Sequence, residues 1–275
     1  MKNRRGPSFV GIGASYTALS QITLWLSEHD QISDHIPIGN FFNTEAFTKK
    51  GYDWYEKRLN GGSWGTGQLY GDVTPGYLLH PKAASRIATS YSDAKLFLVV
   101  RHPLKRALAA YIAHQTIDKS AKLLSAGAYL SKESWLQTES CYADHLMQYS
   151  EYYSPVNLHI IVYEDLLADP LKTMKELYAY LGVNDALVPK GLKQLVPPVD
   201  PPKNPGLIKR GIFGIKKNYK KITTRKIPPL FSAEPDITAL LTPEELDLFK
   251  ASFRPSANRL SHLMGRDMVA FWELD

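Results

Sequence analysis

The sequence contains one cysteine, Cys141, among 275 residues. A single thiol excludes an internal disulfide framework and is typical of a reducing compartment. No stretch approaches the roughly 20 consecutive apolar residues of a membrane-spanning helix. The first residues, MKNRRGPS, lead into an apolar run without the pattern of a signal peptide. We therefore expect a cytoplasmic protein without a membrane span.

Two kinds of motif are also missing. The eight histidines and the cysteine show no spacing typical of a zinc site, so we expect no bound metal. The loop G-x-x-x-x-G-K-[ST] is absent as well, which argues against a nucleoside kinase.

The positive charge is concentrated in one segment. Residues 203–226 carry nine Lys and Arg and no acid, whereas the rest of the chain has 24 basic and 27 acidic side chains. This segment predicts an anionic partner, with a solvated basic loop as the alternative. We expect no nucleic acid as partner, because no recognition module accompanies the short basic stretch.

Strand and helix patterns alternate along the chain. Strands are predicted near residues 8–12, 95–101 and 158–163, and amphipathic patterns follow the first two. This alternation predicts a three-layer α/β fold with a central parallel sheet flanked by helices. Ligands of such folds bind at the carboxyl ends of the strands. Gly13 and Arg101 both fall at those ends, so we expect them at one edge.

The turn after the first strand precedes a helix. The N–H groups of residues 14–20 would converge there with the positive end of the helix dipole, which suits a phosphate. The hydroxyl groups of Ser15, Thr17 and Ser20 could assist. A plain structural turn is the alternative, since any first strand–helix unit of a parallel sheet contains one.

Four passages resemble the sulfotransferase family, whose members use 3′-phosphoadenosine 5′-phosphosulfate as donor. They are FVGIGASYTALSQITLWLSEH, GDVTPGYLLHPKAASRIATSYSDAKLFLVVRHPLKRALAAY, IIVYEDLLADPLKTMKELYAYLGV and FRPSANRLSHLMGRDMVAFW. They occur in the order found in the family and extend from residue 9 to residue 272, and residues 37–71 and parts of 115–150 are among the stretches outside the resemblance. The resemblance implies a single domain over residues 1–275, with an irregular insertion near 37–71 and a basic loop near 203–226.

The resemblance also implies roles for individual residues. Arg101 matches the arginine that binds the 3′-phosphate, and Arg210-Gly211 resembles a late loop that closes over the nucleotide. Asp72 stands where the family has its catalytic glutamate, and His102 is a second catalytic candidate. The donor loop would comprise Gly13, Ala14, Ser15, Tyr16, Thr17, Ala18 and Ser20.

Three positions depart from the family pattern. Tyr16 and Val73 stand where the resemblance assigns lysines, and Ala109 replaces a serine that would share the 3′-phosphate. Losing one preorganised stabiliser of this kind commonly costs about 10²–10³ in rate. The missing charge could come from Lys82, Lys105, His102 or the basic segment. Asp72 could be a turn residue instead of a base, and His102 could simply cap the following helix.

Three functions remain open at this level. The first is an active sulfotransferase acting on a hydroxyl or amine of a carbohydrate or small metabolite. The second is a binding or scaffold protein that has lost donor chemistry. The third is a transferase that uses the same cleft with another activated donor.

Overall fold

The computed structural model describes residues 5–115, 118–194 and 234–275. Within them, four parallel strands form one sheet in the order β2-β1-β3-β4. The strands are β1 (Phe9–Gly13), β2 (Gly71–Val73), β3 (Lys95–Val100) and β4 (Leu158–Val162). The predicted strands near 8–12, 95–101 and 158–163 are thus confirmed as neighbours, and β1 lies between β2 and β3.

Helices follow the strands and flank the sheet. They are α1 (Leu19–Ser27), α2 (Ala46–Lys49), α3 (Gly51–Leu59), α4 (Ala83–Tyr91), α5 (Pro103–His114), α6 (Lys119–Leu123), α7 (Ala126–Lys132), α8 (Trp135–Glu139), α9 (Tyr142–Ser150), α10 (Tyr163–Ala168), α11 (Pro170–Leu181), α12 (Ile237–Leu240), α13 (Pro243–Met264) and α14 (Met268–Phe271). No helix in the described ranges is long and apolar enough to cross a membrane.

Two hydrophobic clusters cover the two faces of the sheet. One joins α1 and α11 to strand residues such as Phe9 and Phe97. The other is larger and joins α4, α5, α7, α9 and α13 to strand residues such as Val10 and Leu98. Successive residues of β1 and β3 enter opposite clusters because side chains alternate along a strand. The expected three-layer α/β fold is therefore confirmed.

The helix ends carry the capping residues that the sequence indicates. Asp169 accepts a hydrogen bond from Lys172 N and begins α11, which Gly182 ends with φ 83°. Thr242 and Glu245 form a complete capping box at the start of α13. These local signals determine the residues at which α11 begins and ends and at which α13 begins.

Residues 37–71 contain α2 and α3 and contribute to the core. Phe41 stacks on Tyr55, with ring centroids 4.6 Å apart, and both side chains are fully buried. The interpretation of residues 1–275 as one domain stays a prediction. The basic segment 203–226, with Arg210 and Gly211, lies outside the described residues.

Candidate active site

The loop after β1 and the end of β3 are in direct contact. Gly13 pairs with Leu98 across the two strands, and Ala14 N donates a hydrogen bond to Val99 O at 3.1 Å. Two residues further along both segments, Arg101 Nη1 donates to Tyr16 O at 3.0 Å. The expected position of Gly13 and Arg101 at one edge of the sheet is confirmed.

Arg101 is a buried cation with unused bonding capacity. Its side chain is only 3% exposed, and its guanidinium carbon lies 4.5 Å from the centroid of the Tyr163 ring. Nη2 donates to Glu234 Oε1 at 2.9 Å, whereas Nε has no partner among the described residues. A buried donor without a partner is costly, so this geometry favours an anion that accepts from Nε.

The backbone of the loop is shaped to receive an anion. Tyr16 and Ala18 have φ angles of 64° and 52°, in the left-handed region. In the described part of the chain, the N–H groups of residues 16–20 have no hydrogen-bond partner, and no side chain caps α1. Such turns, with their N–H groups directed to one point, form anion-binding concavities. Thr17 Oγ1 instead donates to Ala14 O at 2.7 Å, so its hydroxyl is used within the loop.

The Tyr16 side chain takes part in a series of hydrogen bonds with His114, Tyr129 and Asp118. Its hydroxyl lies 3.2 Å from His114 Nε2, and His114 Nδ1 lies 2.9 Å from the hydroxyl of Tyr129. Tyr129 donates to Asp118 at 2.7 Å and lowers the pKa of that carboxyl. Because the ionised carboxylate only accepts, Tyr129 accepts from Nδ1–H of a neutral His114, and Nε2 accepts from Tyr16. Burial lowers the pKa of His114, which favours this neutral form.

The backbone conformation at Tyr16 does not decide between tyrosine and lysine. A φ of 64° disfavours both relative to glycine, because the steric cost arises at Cβ. The tyrosine supplies no positive charge to an anion in the loop.

A buried ion pair anchors the loop after β1. Arg106 Nη1 donates to Glu139 Oε2 at 3.0 Å, and the two side chains are 0% and 1% exposed. Arg106 also donates from Nε to Ser140 Oγ at 2.6 Å and from Nη2 to Leu136 O. The other carboxylate oxygen of Glu139 accepts from Ser15 N at 2.9 Å. The loop is thereby connected to the C-terminal end of α8.

Asp72 is enclosed at the end of β2. Its carboxylate accepts from Tyr77 hydroxyl at 2.6 Å, Thr74 Oγ1 at 2.7 Å, Gly39 N at 3.0 Å and Tyr55 hydroxyl at 3.0 Å. The residue is 0% exposed, and burial raises the pKa of the carboxyl despite these four donors. One of these bonds would have to open before Asp72 could take a proton from an acceptor, and its role as base stays a prediction.

His102 begins α5 as a cap. Its Nδ1 accepts from Lys105 N at 3.5 Å, and its own N–H donates to Glu164 at 2.8 Å. Burial, with Lys105 nearby, lowers the pKa of His102 to about 3. The expectation that His102 could supply the missing positive charge is therefore wrong near neutral pH, because the ring is neutral there. A catalytic role of the neutral ring stays a prediction.

The sequence model of the sulfotransferase family matches residues 29–186, which is more than half of the chain. The chain belongs to the sulfotransferase family. The matched range holds Asp72 and Arg101, whereas the loop at residues 14–20 precedes it.

The curated relatives within this family are distant. A membrane-associated sulfotransferase, kil1, of Dictyostelium discoideum is 29% identical over 145 residues, covering 50% of this chain and 30% of the relative. The human bifunctional heparan sulfate N-deacetylase/N-sulfotransferase 3 is 26% identical over 196 residues, covering 65% and 22%. The chain thus spans less than a third of the length of these two relatives.

Solved sulfotransferase structures share the fold. The sulfotransferase of Alicyclobacillus acidocaldarius has a TM-score of 0.70 at 21% identity, covering 98% of this chain and all of that one. Mouse sulfotransferase SULT7A1, complexed with PAP, has a TM-score of 0.51 at 16% identity, covering 90% and 82%. At these identities the similarity concerns the fold alone.

The candidate site of this sulfotransferase family member contains two carboxylates that the sequence did not indicate. Glu139 contacts Ser15 N and Glu234 contacts Arg101, over separations of 124 and 133 residues. The sequence did not indicate that Arg106 is buried either, and it is fully enclosed and paired with Glu139. The alanines beside it on α5, Ala107 and Ala110, are the only sequence hint, because small neighbours leave room for a long side chain.

A metal is not indicated by the described geometry. Across the three described ranges, no group of three His, Cys, Asp or Glu residues is placed to hold an ion. The residues around the loop and Arg101 instead fit a phosphate-bearing ligand, through N–H donors and a buried guanidinium.

Proposed function

We propose that this chain transfers a sulfuryl group from 3′-phosphoadenosine 5′-phosphosulfate to a hydroxyl or amine of a carbohydrate or small metabolite. The observation that carries the proposal is Arg101, whose buried guanidinium lies beside the loop after β1 and has an Nε without a partner among the described residues. Membership of the sulfotransferase family supports a donor whose phosphate such a cation would hold.

Donor binding would rest on two groups of this chain. Arg101 would hold the 3′-phosphate through charge-assisted hydrogen bonds. The N–H groups of residues 16–20 would hold the 5′-phosphosulfate at the N-terminal end of α1. Neither group needs the lysines that the chain lacks, and the donor would supply the activated sulfuryl group.

A carbohydrate acceptor is supported by relatives and by one surface. Several relatives are named for heparan sulfate, an anionic polysaccharide. Helix α3 contacts Asp72 through Tyr55, and Lys57 and Arg58 are exposed in its last turn. The Arg58 guanidinium lies over the Trp54 ring, 5.7 Å from its centroid, which holds this cation on the surface of α3. The two exposed cations suit an acidic group on a carbohydrate.

A binding or scaffold function is the second candidate. Two carboxylates of the chain contact the groups that a donor would use: Glu139 contacts Ser15 N and Glu234 contacts Arg101. Asp72 is also fully enclosed. These contacts favour a protein that has kept the sulfotransferase fold without its turnover. Cytoplasmic localisation stays a prediction for either function.

Two measurements separate these functions. Calorimetry with adenosine 3′,5′-bisphosphate, the spent donor, tests the site, and Arg101→Gln should weaken binding about 10- to 100-fold because a charged hydrogen-bond donor is lost. Transfer from labelled donor is then measured with heparan-type polysaccharides and small hydroxyl and amine acceptors. Binding together with transfer supports the enzyme. Binding without transfer to any acceptor would favour the scaffold, and absence of binding at millimolar ligand would refute donor use.

A further inference from the structure

The carboxylate of Glu234 lies between two cations. Its Oε1 accepts from Arg101 Nη2 at 2.9 Å, and its Oε2 lies 3.8 Å from Lys105 Nζ. The side chains of Glu234 and Lys105 are 36% and 33% exposed, whereas that of Arg101 is 3% exposed. Burial, and secondarily Glu234, raises the pKa of Tyr163, whose ring stacks on Arg101. One anionic group of the chain therefore occupies a site formed by two cations and an aromatic ring.

This site has more donors than one carboxylate uses. Arg101 Nε is buried and has no partner within the described ranges, and the Lys105 ammonium has three N–H donors. A phosphate offers three oxygens and up to two negative charges, so it could accept from more of these donors than a carboxylate can. The number of donors therefore suits a phosphate better than it suits the single carboxylate of Glu234.

Helix α5 explains why Lys105 can serve at this position. Lys105 and Ala109 are four residues apart, so they lie on the same face of the helix, one turn from each other. Ala109 has no hydroxyl to offer a phosphate held by Arg101. The Lys105 ammonium, on a long flexible side chain, stands at the same face nearer to Arg101.

We propose that Lys105 is the second cation of the nucleotide-phosphate site and that Glu234 is an internal competitor that leaves when the phosphate binds. The inference rests on the proposed function, because the phosphate meant is the 3′-phosphate of the donor. On binding, the 3′-phosphate replaces the Glu234 carboxylate as the anion that contacts Arg101 and Lys105, and it carries more negative charge. The half-exposed Glu234 side chain passes into solvent, where its charge is hydrated.

The experiment compares two ligands that differ in one phosphate. Calorimetry is run with adenosine 3′,5′-bisphosphate and with adenosine 5′-monophosphate on wild type, Lys105→Gln and Glu234→Gln. Lys105→Gln should weaken bisphosphate binding about three- to tenfold, as expected for a half-exposed charge pair. Glu234→Gln should strengthen it about tenfold, because no internal carboxylate then competes. Neither variant should change the affinity for the monophosphate.

The chain offers a matched control pair. Lys172 is the third residue of α11, which begins at Pro170, just as Lys105 is the third residue of α5, which begins at Pro103. Lys172 Nζ lies 4.0 Å from Glu176, and both side chains are more than half exposed. Lys172→Gln and Glu176→Gln should leave the affinity for both ligands unchanged. Urea unfolding of each variant shows that the fold is kept.

The outcomes separate the inference from the proposed function. If wild type binds the bisphosphate and neither Lys105→Gln nor Glu234→Gln alters that affinity, the inference is overturned and the proposed function stands. Equal effects on both ligands would also overturn it, because the two residues would then act away from the 3′-phosphate. If neither wild type nor either variant binds the bisphosphate at millimolar concentration, the proposed function and the inference are overturned together. Tighter bisphosphate binding by Glu234→Gln than by wild type, with the affinity for the monophosphate unchanged, supports the internal competitor.

Discussion

Replacing Arg106 with methionine should destabilise the protein strongly. The substitution keeps an unbranched side chain in the core but removes the charge that faces Glu139 at 3.0 Å. Both side chains are at most 1% exposed, so the carboxylate would be left in the interior without a counter-ion. Breaking a buried pair in this way costs about 3–5 kcal/mol. That loss is a large fraction of the roughly 5–15 kcal/mol that stabilises an ordinary domain.

Urea unfolding at neutral pH, followed by circular dichroism, measures this loss. Arg259→Met is the matched control, because Arg259 pairs with Asp144 while their side chains are 48% and 42% exposed, and it should cost at most about 1 kcal/mol. Arg106→Met combined with Glu139→Gln should recover part of the stability, since the unpaired charge is gone. A loss below about 1 kcal/mol for Arg106→Met, at an unchanged urea slope, would refute the account of Glu139 as a buried charge held by Arg106.

Three further predictions concern the ends of β2 and β3. Asp72→Asn should abolish sulfuryl transfer while changing bisphosphate affinity less than about threefold, because a base acts on the proton of the acceptor; transfer from labelled donor at the wild-type rate would contradict this. An added Cβ at Gly39 would lie 2.4 Å from Asp72 Oδ2, so Gly39→Ala should lower the free energy of unfolding by about 1–3 kcal/mol in urea, and an unchanged midpoint would argue against the close approach. The pKa of His102 is about 3 in the fold and 6.5 ordinarily, so the unfolded chain takes up a proton at a higher pH than the folded protein does. The free energy of unfolding is therefore full above pH 6.5 and falls as the pH drops from 6.5 towards 3. From about pH 7 to about pH 4.5 wild type should therefore lose about 2–3 kcal/mol more than His102→Asn, which keeps a capping side chain, and parallel pH curves would show that the ring does not titrate in this way.

Local features of the fold could be predicted from the sequence. Apolar runs mark β1, β3 and β4, and Asp169, Gly182 and Thr242 mark helix ends at the residues where the structure has them. These features depend on neighbours within about four residues, which the sequence displays directly. The meeting of Gly13 and Arg101 also followed, because parallel strands place their carboxyl ends together.

The surroundings of the site residues could not be predicted in the same way. The four donors that enclose Asp72 come from three separate segments, among them Gly39 and Tyr55 of the region 37–71. Glu139 and Glu234 meet their partners only through tertiary packing, and nothing near them in the sequence distinguishes them from surface acids. Likewise, burial of the His102 ring, rather than its type, determines its pKa.

The long separation between Ser15 and Glu139 affects how the protein is made. A nascent chain grows at about 5–20 residues per second, so the loop is synthesised roughly 6–25 s before the carboxylate that accepts its N–H. At first β1 cannot pair with β3 either, since residues 95–100 are added only in the later part of that interval. The loop after β1 therefore leaves the ribosome before the partners that fix its shape exist. Its geometry becomes available only after α8 has folded, which makes the completion of this loop one of the later events in the maturation of the chain.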